Sequence, residues 1–83
     1  MSAPDDVAQA VLDRLDERHE TIATAESLTG GLVCATLVDA PGASALVRGG
    51  IVAYVPEVKS QVLGVDDELI DAHGTVDGEV ARQ

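Results

Sequence analysis

Three side chains in this sequence have the types and the order that hydrolytic chemistry could use: Ser27, Tyr54 and Lys59. Ser27 stands in the run Ala25-Glu26-Ser27-Leu28-Thr29-Gly30-Gly31. The two glycines allow backbone N–H groups to come close to whatever the serine faces, and a hydroxyl beside such donors is the beginning of an acyl-transfer site. A lysine can serve a serine as base, provided it is neutral when it takes the hydroxyl proton. Burial or a neighbouring cation favours that state. The same residues have plainer readings. Serine and threonine are preferred helix caps, and glycines are common near turns. A lysine can simply be solvated, and a tyrosine ring can pack at a sheet edge. On residue types alone, both readings stand.

The elements that would position these groups can be read from hydrophobic spacing. Residues 20–25, around Thr21-Ile22-Ala23-Thr24, predict a strand. Leu28, Leu32, Val33, Ala35 and Thr36 predict a helix over 29–38, stopped by Asp39-Ala40-Pro41-Gly42. Ser27 then falls where a strand turns into a helix. Ala43 to Val47 read as a short helical turn, and Gly49 to Tyr54 as a buried strand. Strand, helix and strand suggest a parallel pair with a right-handed crossover. The carboxyl ends of neighbouring parallel strands converge on one crevice. That would bring Ser27 and Tyr54 together, with Lys59 one short turn further on.

Outside this unit the signals are local. Ser2 caps a first helix, with Asp5 three residues later, and Val7, Ala8, Val11, Leu12 and Leu15 give it an apolar face. His19 near its end reads as a surface residue. Pro56 opens a helix carrying Lys59, Val62 and Leu63. Asp66 caps another through Leu69, Ile70 and Ala72, which Gly74 ends. Asp77 to Ala81 start one more, with no room to bury a face. Two strands make no stable sheet by themselves. The expectation is therefore the first half of a larger α/β domain.

Composition narrows the function classes. Fifteen acidic residues against five basic ones give a net charge of −10, which argues against nucleic acid or an anionic membrane as partner. The 46% apolar content, in periodic runs, argues against disorder. An acidic, lysine-poor surface suits high salt, so a halophilic source is expected. The lone Cys34 permits no internal disulfide and reads as a small core residue. No apolar run reaches bilayer length and no secretory leader is visible, so a soluble, cytoplasmic protein is expected. Neither His19 nor His73 has partners at ligand spacing, so no metal is assigned.

Five segments occur here in a recognisable order: Ala25 to Gly31, Pro41-Gly42-Ala43-Ser44, Gly49 to Tyr54 with Lys59, Leu63-Gly64-Val65, and Gly74-Thr75-Val76. From about Thr24 onward the chain resembles the C-terminal domain of the CinA family, the nicotinamide-nucleotide amidohydrolase or nicotinamide mononucleotide deamidase. The resemblance implies an α/β fold: a three-layer α/β/α domain with a mostly parallel sheet, of which this chain would be the first half. It implies hydrolysis of the carboxamide of nicotinamide mononucleotide to the acid, with release of ammonia. The family's catalytic serine, tyrosine and lysine fall on Ser27, Tyr54 and Lys59. Ser27 would attack the amide, Lys59 would accept its proton, and Tyr54 would hold or relay. Glu26, Thr29, Gly30, Gly31 and Ser44 would contact the substrate, a small nucleotide. No cofactor is implied, and a homo-oligomer is expected. Val55-Pro56-Glu57 stands where many members have Ser-Asn-Glu, and Thr75-Val76-Asp77 where many have Ala-Val-Ser. On this resemblance the chain would lack the family's second half. The alternative is a CinA-like remnant that acts as an interaction or nucleotide-binding module without hydrolysis.

Overall fold

A computed structural model describes residues 4–83. They form two compact units, one up to Val52 and one from Ala53 to Gln83. The expected Ser2 cap lies outside the described residues.

The first unit opens with α1, Pro4–Arg18. Its i, i+4 spacing puts Ala8 and Leu12 on one face, where both are buried. They pack with Leu37 and Ala43, and Ile22, Leu46 and Val47 close the edge of this cluster. Leu12 is 1% exposed, so truncating it to alanine would cost about 2–5 kcal/mol. The helix ends on His19, which holds a left-handed φ of 55°. Glu20 N donates to Leu15 O and His19 N to Asp16 O, the paired bonds that close a helix whose next residue turns left-handed.

Strand β1 follows at Ile22–Glu26, then α2 at Leu32–Val38, a single 3-10 turn at Ala43–Ala45, and β2 at Val47–Val52. The two strands pair in parallel, as the strand–helix–strand order predicted. Ile22 pairs with Val47 and Glu26 with Val52, with a register shift after Ile22. β2 lies two residues earlier than the expected 49–54, so Tyr54 falls beyond it. Nor is it a buried strand: Ile51 and Val52, on opposite faces, are 39% and 46% exposed. Among the described residues β1 is its one strand neighbour.

The second unit holds three short helices: α3 Pro56–Gln61, α4 Asp67–His73 and α5 Gly78–Arg82. Each starts on the expected signal. Pro56 opens α3, where a missing N–H costs nothing. The Asp66 carboxylate accepts from Glu68 N, and that of Asp77 from Glu79 N and Val80 N. The last helix does find a face to bury, against the sequence expectation. Val80 joins Val65 and Ile70 in a small apolar cluster. The Gln83 side chain also accepts from Asp66 N at 3.0 Å, which ties the end of α5 to the start of α4. Among the described residues no helix is long and apolar enough to cross a membrane.

Candidate functional site

Between β1 and α2 runs a five-residue turn, residues 27–31, and Ser27 opens it. The expected helix over 29–38 starts three residues late because Gly30 and Gly31 hold φ values of +62° and +98°. Side chains rarely adopt that region, and a Cβ on Gly31 would also crowd Val52 Cγ2 at 3.2 Å. The residue preceding α2 is therefore Gly31, which carries no capping side chain. Ser27 is therefore not the residue that caps α2.

The capping is done by Glu26. Its Oε1 accepts from Val33 N at 2.8 Å and its Oε2 from Cys34 N at 3.0 Å. These are the second and third residues of α2, whose amides have no partner within the helix. The Thr29 hydroxyl donates to Oε1 at 2.7 Å and that of Thr24 to Oε2 at 3.3 Å. Glu26 is 8% exposed. Burial pushes its carboxyl up, but the bonds from Thr29, Cys34, Val33 and Thr24 together hold it below the ordinary carboxylate range. All four donors are neutral.

This arrangement changes what the turn can offer a ligand. The helix start is already filled by an internal carboxylate, and the Gly30 amide donates to the Ser27 carbonyl at 3.0 Å. Glu26 and Thr29 are brought together beside Ser27. Ser44 is not. It lies exposed in the 3-10 turn before β2, at the amino end of the strand pair, whereas Ser27 follows the carboxyl end. Five residues of strand, at about 3.3 Å each, separate the two levels.

In the second unit Lys59 is buried at 7% exposure, not solvated. Its Nζ donates to Ala53 O at 2.7 Å and to Tyr54 O at 3.2 Å. Lys59 and Tyr54 are thus joined through the tyrosine's main chain, while its side chain stands largely exposed. Pro56 opens the helix three residues before Lys59, which turns the amine back onto those two carbonyls. Among the described residues no group of His, Cys, Asp and Glu could hold a metal ion. An apolar groove of about 510 Å³ in the first unit, lined by Val7, Val11, Ile22, Leu32 and Val33, has Thr36 as its polar side chain and offers no reactive group.

The sequence model of the CinA C-terminal domain matches residues 4–83. The chain belongs to the CinA C-terminal domain family. A CinA-like protein of Frankia casuarinae is 51% identical over 79 residues, covering 95% of this chain and 18% of its own length. A putative competence-damage inducible protein of Geobacillus kaustophilus is 54% identical over 71 residues, covering 86% and 17%. Among solved structures, competence/damage inducible protein CihA of Agrobacterium tumefaciens superposes with a TM-score of 0.91 at 31% identity, covering 99% of this chain and 52% of that one. ComA of Klebsiella pneumoniae gives 0.93 at 29%, covering 95% and 49%. The chain thus spans about half of these solved CinA domains and under a fifth of the longer CinA relatives. Their likeness supports the α/β class and the course of the backbone through the Ser27 turn.

Proposed function

We propose that this chain supplies the nucleophile and the base of an amidohydrolase that acts on nicotinamide mononucleotide. The observation that carries the reading is the buried Lys59 amine, fixed on two main-chain carbonyls. Such a buried, main-chain-anchored amine is held in one place, as a base that serves a hydroxyl must be. Family membership and the Ala25-Glu26-Ser27 run support the same reading.

In this mechanism Ser27 Oγ forms a bond to the carboxamide carbon while its proton passes to Lys59 Nζ. The carbonyl oxygen gains the negative charge, which main-chain donors of the turn at Thr29 and Gly31 would stabilise. Lys59 then delivers the proton to the amide nitrogen. The C–N bond breaks and ammonia leaves. Water, losing its proton to Lys59, attacks the resulting ester, and the proton returns to Ser27 as the acid is released. Tyr54 fixes the base through its carbonyl.

The test is ammonia release from nicotinamide mononucleotide by the intact protein. Ser27→Ala and Lys59→Met should each lower kcat by about 1,000-fold or more, as loss of a nucleophile or its base does elsewhere. Activity near wild type in Ser27→Ala would end the reading.

A further inference from the structure

Glu26 stands in the family-like run beside the serine, where a substrate contact is one role it could have. Its geometry points elsewhere. We infer that Glu26 is a positioning residue: its carboxylate ties the end of β1 to the start of α2 and so fixes where the intervening turn presents Ser27 Oγ. This rests on the reading of Ser27 as nucleophile.

Three observations carry it. First, a carboxylate has about four lone-pair sites, and four donors occupy them: Thr24, Thr29, Val33 and Cys34. A substrate group could reach Glu26 only by displacing one of its own supports. Second, those donors sit on both sides of Ser27 and within its turn. Thr24 belongs to the strand, Thr29 to the turn, and Val33 and Cys34 to the helix. One side chain therefore closes the loop that carries the nucleophile. Third, nothing local replaces it, because Gly31 brings no capping side chain to α2. Without Glu26 two helix amides lose their acceptor and the turn loses its brace at both ends. The left-handed glycines make the turn sharp, and the clamp makes it single-valued.

The experiment uses the intact protein with Glu26→Gln and Glu26→Asp, and reads two things: hydrogen exchange at the Val33 and Cys34 amides, and the split between kcat and KM for nicotinamide mononucleotide. In Glu26→Gln those two amides should exchange about tenfold faster, while amides of α1 keep their rates. The kcat should fall about 10- to 100-fold, as for a nucleophile displaced by about 1 Å, with KM within about twofold of wild type. Glu26→Asp restores the charge but not the reach to both amides, so it should not rescue. Where Glu26→Gln fails to fold, Thr29→Val carries the test, since it removes one neutral donor and leaves both backbone contacts; kcat should drop about threefold at constant KM. Unchanged exchange at Val33 and Cys34, or a raised KM with kcat intact, would overturn the inference. An inactive wild type, or a fully active Ser27→Ala, would instead end the amidase reading, and the exchange rates would still judge the clamp.

Discussion

Gly50 faces Thr24 across the parallel strands, and a Cβ placed on Gly50 would overlap the Thr24 hydroxyl. It would also meet Cys34 Sγ at 3.0 Å. Thr24 and Cys34 are two of the four donors to Glu26, so the strand pairing, the helix start and the serine turn share one crowded spot. Backbone on the β2 side cannot move without breaking the ladder. We therefore expect Gly50→Ala to destabilise the protein by about 1–3 kcal/mol, the usual cost of overpacking. Denaturant melts at constant pH check this. A midpoint within error of wild type would mean that Thr24 turns aside freely.

The low-lying carboxyl of Glu26 sets a sign for acid. Its folded-state value is held below the ordinary one, so the folded form binds its proton less readily than the unfolded chain does. The stability it contributes is present above the ordinary carboxylate range and is lost as pH falls through the folded value. The melting-temperature gap between wild type and Glu26→Gln should be widest near neutrality and should shrink below about pH 4. A gap that is constant or grows on acidification would contradict the hydrogen-bonded carboxylate. Taking the difference between variants removes the background relief of repulsion among the other acids.

Much of the fold was legible where the signal was local. Pro56, Asp66 and Asp77 each announce a helix within three residues, and each helix forms there. The parallel pair followed from element order. The start of α2 was not legible, because its cap comes from Glu26, seven and eight residues upstream, and no rule of adjacent residues reads such a contact. For the same reason the hydrogen bonds from Thr24, Val33 and Cys34 to Glu26 have no signature in the sequence. The burial of Lys59 was equally hidden: it depends on a turn that brings the amine back to Ala53 and Tyr54. The burial of Val80 is not legible locally because its partners are Ile70 in the preceding helix and Val65 in the loop before that helix.

His19 stores a small, removable cost. It is exposed and left-handed, and such a conformation costs a residue with a Cβ roughly 1–2 kcal/mol. Glycine relieves that strain but loses more entropy on folding, so His19→Gly should gain up to about 1 kcal/mol. Thermal melts decide it, and a lowered midpoint would show that the imidazole makes a contact worth more than the strain.

Salt should stabilise this chain. Among the described residues the arginine–carboxylate pairs are exposed: Arg14 with Glu17 at 3.1 Å, Arg82 with Glu79 at 2.6 Å, and Arg18 with Glu20. Such pairs contribute about 0–1 kcal/mol each, so screening them costs little. The net charge of −10 leaves repulsion as the larger quantity, and at 1 M salt its range contracts to about 3 Å. Melting temperature should rise across a potassium chloride series. A flat or falling curve would contradict both the charge argument and the halophilic reading of the composition.

The Glu26 clamp also bears on the order in which the chain assembles. Its partners lie two to eight residues away, whereas the strand pair joins residues such as Ile22 and Val47. Closing a short loop loses less chain entropy than closing a long one, and local contacts form sooner. The serine turn should therefore be shaped before the sheet that will hold it. Pulse-labelled exchange should find Val33 and Cys34 protected ahead of Ala25 and Ile51. That turn would then serve as an early template on which the later, slower pairing is registered.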